Sequence, residues 1–145
     1  MCMKKIIFLV IIFLFSVRLF AEERQIQFSQ LPEKSQLMIS SYFKDHSIIS
    51  IVIEKRVSLI QYEVVFSDED KIQFNNEGKW TEIKCIKHAV PNNFVPEKIK
   101  EVLDKSFPDN YVKEIEHDDK LYEIVLDNKI ELTFNNSCRL IDVDK

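Results

Sequence analysis

Apolar and polar residues alternate along much of this chain. Ile49, Ile51 and Ile53 share one side of an extended backbone, as do Ile60, Tyr62, Val64 and Phe66 in the next run, and Ile72 and Phe74 in a third. A period of two is the signature of a half-buried strand. Turn residues such as Asp68-Glu69-Asp70 and Asn75-Asn76-Glu77-Gly78 separate the runs, so they read as a meander of hairpins. Strands are predicted at about 48–54, 59–67, 71–75 and 79–86, and again at about 111–117, 121–127, 129–135 and 139–143. Helical spacing precedes each set. Met38, Ile39, Tyr42 and Phe43 follow Leu31-Pro32-Glu33-Lys34, and Ile99, Val102, Leu103 and Phe107 follow Val95-Pro96-Glu97-Lys98. Proline suits the start of a helix, where its missing N–H is no loss, and glutamate suits the positive end of the dipole. Residues 22–30 are polar and predict a loose lead-in.

The pattern occurs twice. Tyr62-Glu63-Val64-Val65-Phe66 returns as Tyr122-Glu123-Ile124-Val125-Leu126, and Phe74-Asn75-Asn76 as Phe134-Asn135-Asn136, both 60 positions later. Gly78 to Ile83 returns as Cys138 to Val143 at the same offset. The helices are instead 64 apart, so the first copy holds about four extra residues, placed near Lys55-Arg56-Val57-Ser58. The expected fold class is α+β: two tandem repeats, each a helix plus a four-stranded antiparallel sheet, forming one compact domain. Repeat 1 spans 31–87, a connection 88–94 and repeat 2 95–145. One helix and one sheet bury a single stripe against a single face. A unit of roughly 50 residues is marginal alone, so the two sheets are expected to join edge to edge or pack closely.

The N-terminus changes the picture of where the chain works. Lys4 and Lys5 precede an apolar run from Ile6 to Val17, and Ala21 is followed by Glu22-Glu23-Arg24. This reads as a signal peptide over 1–21 with cleavage after Ala21; the run is short for a membrane span. An uncleaved anchor is the alternative, and the only route to a membrane. Cys2 lies before the apolar run and is not placed to carry lipid. The formal net charge is −4, and loss of Lys4, Lys5 and Arg18 leaves a still more acidic chain. Such a chain is a poor ligand for nucleic acid, whose affinity comes from cationic contacts. Gly78 is the single glycine, which excludes phosphate-cradling loops, dinucleotide fingerprints and nucleophile elbows.

These residues resemble the secreted PepSY-like family. The resemblance is carried by the leader, Leu31-Pro32 and Val95-Pro96, Tyr62-Glu63-Val64 and Tyr122-Glu123-Ile124, Phe74-Asn75-Asn76-Glu77-Gly78-Lys79-Trp80, and Val90-Pro91. It covers roughly 30–143. It implies two α-β-β-β-β units, a fold related to the beta-lactamase inhibitor protein, and a non-enzymatic envelope protein that binds or inhibits other proteins. Two features depart from the family pattern: Asn75 and Asn135 stand where an acid is common, and Cys138 replaces the turn glycine, so that its turn must differ or Cys138 must pair as strand.

Candidate chemistry is thin. Glu116-His117-Asp118-Asp119 offers metal-ligand types, but strand neighbours point to alternate faces, so the segment reads as a solvated hairpin turn. His46 beside Asp45 reads as a helix C-terminal cap, and His88 has no evident partner. No catalytic residue, cofactor or metal site is predicted; chelators are expected to leave the melting temperature unchanged. Cys85 and Cys138 read as buried free thiols, a disulfide being the alternative. The remaining candidate is the sheet face turned away from the helices. With Ile51, Val64, Phe74 and Ile83 inward, parity places Trp80, Val65, Glu63, Glu82, Leu121, Glu123, Val125 and Leu140 outward. A bulge at Gly78 would instead turn Trp80 inward. An apolar set within an acidic rim suits a protein or peptide of the cell envelope. The expected function is an exported, periplasmic or extracellular binding module, with inhibition of another protein as one role it could serve. A structural protein that dimerises through the same face or a sheet edge is the alternative, and a small enzyme with a pocket between repeats a third reading.

Overall fold

The computed structural model describes residues 22–145; the predicted leader, its cleavage site and Cys2 lie outside them. Among the described residues the order is strand β1 (Glu22–Gln25), helix α1 (Glu33–Tyr42), strands β2 (Ile48–Arg56), β3 (Leu59–Phe66), β4 (Lys71–Asn75) and β5 (Trp80–Lys84). Helix α2 (Glu97–Ser106) and strands β6 (Val112–His117), β7 (Leu121–Leu126), β8 (Glu131–Asn135) and β9 (Leu140–Asp144) follow. All nine strands form one antiparallel sheet in sequential order. The halves join where β5 pairs with β6 through Glu82↔Glu116, Ile83↔Ile115 and Lys84↔Glu114. The molecule is a compact α+β domain.

One face of the sheet carries the core. Val64, Phe66, Ile72, Phe74 and Ile83 from the first half, and Ile115, Ile124, Leu132 and Phe134 from the second, are almost wholly buried. Ile39 of α1 and Ile99 and Leu103 of α2 join the same cluster. Each helix ends the same way: Phe43 and Phe107 turn out of helical geometry, donating their N–H groups to Ile39 and Leu103. A 3-10 turn at Asn92–Phe94 lies within the predicted connection and buries Phe94.

Residues 22–25 correct the expectation of a loose lead-in: they pair with β2, Glu22↔Lys55 through Gln25↔Val52. Their side chains are exposed, so no alternation of apolar residues marks the strand. Its stabilisation comes from backbone hydrogen bonds to an otherwise open edge. Cys138 also departs from expectation. Its turn does not differ from that of Gly78: Gly78 has φ 80° and Cys138 φ 62°. Both donate N–H to an asparagine carbonyl, Gly78 to Asn75 at 3.0 Å and Cys138 to Asn135 at 2.8 Å. The side chain of Asn75 accepts from the N–H groups of Glu77 and Lys79, and that of Asn135 from Ser137 and Arg139. A carboxylate oxygen would accept the same pair, which is why asparagine stands in for an acid here without loss of the turn.

Candidate functional site

The face opposite the helices is uncovered, and its side chains fall into rows that cross the strands. One row runs Val52, Glu63, Gln73, Glu82, Glu116, Glu123, Thr133 and Asp142, each paired with the next. A second runs Ser50, Val65, Lys71, Lys84, Glu114, Val125 and Glu131. Of the residues expected on this face, Val65, Glu63, Glu82, Leu121, Glu123 and Val125 lie there.

Trp80 and Leu140 do not. Trp80 pairs with Phe74 and Glu82 with Gln73, which leaves Thr81 as the extra residue of a bulge. Leu140 pairs with Phe134 and Asp142 with Thr133, leaving Ile141 extra. One inserted residue reverses side-chain parity, so Trp80 and Leu140 pack against the core. The Trp80 ring meets Phe94 edge-on at 5.7 Å and the His117 ring at 4.2 Å. His117 is held by the Trp80 carbonyl, 2.9 Å from Nε2, while the Asp118 carboxylate accepts N–H groups of Lys120 and Leu121. That segment is a hairpin turn.

The two halves of the face differ in charge compensation. Lys71 Nζ lies 3.5 Å from both Glu63 and Glu82, and Gln61 donates to Glu54 at 2.9 Å. Lys84 pairs with Glu114 at 3.0 Å. Beyond it, Glu116, Glu123 and Glu131 have no ion pair among the described residues and, with Glu114, line a shallow hollow around Val125. Burial pushes the Glu82 carboxyl above its ordinary range; Lys71 opposes this, and Glu114 and Glu116 add to it. Burial likewise raises Glu116, reinforced by Glu123 and Glu114. Like charges set one strand apart are repulsive, so this half of the face holds unspent electrostatic energy.

A second constellation lies at one end of the first half, and sequence reasoning missed it. His46 follows α1, Asp68 and Asp70 form the β3–β4 turn, and His88 follows β5; one ligand atom from each falls within 4.8 Å of the others. His46 therefore does not cap α1: its Nδ1 sits 2.9 Å from Asp68 Oδ2. His88 has partners too, its Nε2 lying 2.7 Å from Asp70 Oδ2 and 3.6 Å from Asp68 Oδ2. Burial would raise the Asp68 carboxyl, but the Asp70 N–H and His46 hold it below its usual range. The Ala89 carbonyl raises His88 against the effect of burial, with Asp70 assisting. Cys85 is a buried free thiol pushed up to about 12 by burial and by Asp70, and Cys138 is also free. These residues sit in three separate connections, which no spacing rule joins; the one available signal was an imidazole or carboxylate in each of three neighbouring turns.

The fold and the uncovered face define a small sheet-platform protein, backed by helices on one side only. The chain belongs to the family described as "Putative beta-lactamase-inhibitor-like, PepSY-like", which matches residues 60–142. It is similar to a "putative calcium-regulated periplasmic protein" of Bacteroides thetaiotaomicron, at 33% identity and TM-score 0.82, over 85% of this chain and 97% of that one. A "putative periplasmic protein" of the DUF2874 family from Bacteroides vulgatus is 34% identical with TM-score 0.83, over 86% and 98%. A third, from Bacteroides vulgatus and of unknown function, is 26% identical with TM-score 0.81, over 86% and 100%. No curated protein matches the chain. Like these neighbours, the protein is periplasmic; no described helix is long and apolar enough to cross a membrane.

Proposed function

We propose that this protein is a non-catalytic periplasmic binding module that docks a second protein on the open face of its sheet, in the manner of an inhibitor. The observation that carries the reading is the uncompensated carboxylate set Glu116, Glu123 and Glu131 around Val125, on a face that neither helix covers. A partner presenting lysine or arginine there would relieve the repulsion, and charge complementarity of this kind sets encounter rate and specificity. Val65, Leu121 and Val125 supply the apolar contacts within the acidic rim. The shallow hollows of the face suit a protein surface better than a small substrate. The two helix-plus-four-strand halves are read as tandem copies of one unit, supported by equal pairings such as Tyr62↔Phe74 and Tyr122↔Phe134.

The test is a photo-crosslinking amino acid placed at Val125, with controls at Leu37 on α1 and Val57 in the β2–β3 turn, both exposed. A heterologous adduct at Val125, lost with Glu116→Lys/Glu123→Lys and absent at the controls, is expected. Adducts only between copies of this chain would favour the assembly reading, and adducts at the controls alone would sink both.

A further inference from the structure

Asp70 presents a physical problem that the fold does not require. It is fully buried, and one oxygen, Oδ1, accepts the Ile86 N–H at 2.8 Å. The other, Oδ2, has no hydrogen-bond partner among the described residues, although His88 Nε2 lies 2.7 Å away. Nε2 is equally without a hydrogen bond. Two buried polar atoms thus face each other in contact, misaligned for a hydrogen bond. Burying a carboxylate costs several kcal/mol unless its partners are good.

The second half shows that the turn forms without these groups. Glu69 and Lys129 occupy the same left-handed position, φ 70° and 69°. Asp68 accepts the Asp70 N–H at 3.3 Å, and Asn128 accepts the Ile130 N–H at 3.1 Å. Where the first half has His46, Asp68 and Asp70, the second has Asn110, Asn128 and Ile130 at the established offsets. Ile130 packs against the core where Asp70 is buried. The same turn is therefore built twice: in the second half Asn110 donates to the single carboxylate of Asp127 at 3.0 Å, whereas in the first half His46, Asp68 and Asp70 are joined by His88 into a set of two imidazoles and two carboxylates.

We propose that His46 Nδ1, Asp68 Oδ2, Asp70 Oδ2 and His88 Nε2 bind one zinc-class divalent ion. Two nitrogen and two oxygen donors match the tetrahedral preference of such an ion, whereas calcium takes six to eight oxygens. In a tetrahedron with metal bonds of about 2.0–2.1 Å, ligand atoms stand about 3.3 Å apart. Three of the six separations here are 2.7, 2.9 and 3.6 Å, and all six lie within 4.8 Å, so small side-chain shifts bring the four atoms to that spacing. The outer contacts are those a ligating histidine needs: the His88 Nδ1 faces the Ala89 carbonyl at 3.1 Å, leaving Nε2 for the ion. Phe43 and Phe66 wall the His46 ring, with centroids at 5.4 and 5.6 Å. Four protein donors leave no open position, so the ion is structural and ties the α1–β2 and β5–α2 connections to the β3–β4 turn. The sequence reading, by contrast, predicts no metal site.

The test uses the full chain stripped with EDTA and titrated with ZnCl2. One ion per chain and a melting temperature that rises by several degrees with zinc are expected, since an ion bound only by the native state stabilises by mass action. His46→Ala and His88→Ala should each weaken binding at least tenfold, while Cys138→Ser and Glu116→Gln should not. Should the histidine variants not fold, Co2+ on the unaltered chain decides. The strong visible bands of a tetrahedral ion, with no thiolate-to-cobalt band, support the site. A thiolate band, zinc binding undiminished in both histidine variants, an equal response to Ca2+, or no response to zinc overturns it.

Discussion

At the scale of single residues, two positions show how local geometry overrules side-chain type. A Cβ on Gly78 would lie 2.6 Å from Pro32 Cβ and 2.9 Å from Ser35 Oγ, and the Ser35 hydroxyl donates to the Gly78 carbonyl at 3.1 Å. The left-handed backbone is only part of the demand, since Cys138 meets it with φ 62°. The rest is the close approach of α1. Gly78→Cys is therefore expected to cost at least about 2 kcal/mol, combining overpacking with backbone strain. Cys138→Gly should stay within about 1 kcal/mol of the parent, because relief of strain offsets lost contact. Urea unfolding of both variants checks this, and equal losses would show that the approach of α1 is immaterial. Parity alone places Trp80 outward, and the one-residue bulge turns it inward. Trp80→Ala is accordingly expected to cost about 2–4 kcal/mol, in the range of a packed aromatic that keeps some exposure. A loss below about 1 kcal/mol would return Trp80 to the open face.

At the scale of elements, what the sequence discloses depends on whether burial leaves a period. Strands β2 to β8 bury one face, so apolar residues recur every second position, and the limits of these strands and of the largely exposed β9 are legible to within a residue or two. The extra residues of the first half are legible as well: Ile51 faces Val64 and Ile115 faces Ile124, so the β2–β3 hairpin is the longer by the four residues expected near Lys55–Ser58. Strand β1 buries nothing and is invisible to that criterion. Bulges at Thr81 and Ile141 are invisible for another reason, because parity is read by counting and an inserted residue leaves no compositional mark. The cluster around Asp70 was hidden because convergence of three turns is a property of the assembled sheet. The turns themselves carry a simpler test. Asn135→Ala removes the acceptor of two backbone N–H groups and should cost about 1–2 kcal/mol, whereas Asn135→Asp should be nearly neutral. Equal losses would show that the side-chain oxygen is not what holds the turn.

At the scale of the molecule, a single sheet makes the two halves one cooperative body with one electrostatic surface. Ile83 and Ile115 pair across the junction and are wholly buried, so removing either half would expose the other. Directly beside that pair, Glu82 and Glu116 face each other on the open side, and the junction brings together carboxylates from halves far apart in the chain. Burial raises the Glu82 carboxyl above 4.5 in the folded protein despite Lys71. The sign follows from linkage: between 4.5 and the folded value, the native state binds more protons than the unfolded chain, so stability falls as pH rises. Below 4.5 the penalty is absent, and above the folded value it is complete. Glu82→Gln keeps the shape and removes the charge, while Lys71 retains Glu63 at 3.5 Å. Relative to the parent, this variant should gain stability as pH rises from about 4.5 to 7, by no more than about 1 kcal/mol given a partly offsetting ion pair. Denaturant unfolding across that range measures the difference. A variant uniformly less stable than the parent, with no dependence on pH, would mean that Lys71 fully compensates Glu82 and that the acidic row carries no strain at the junction.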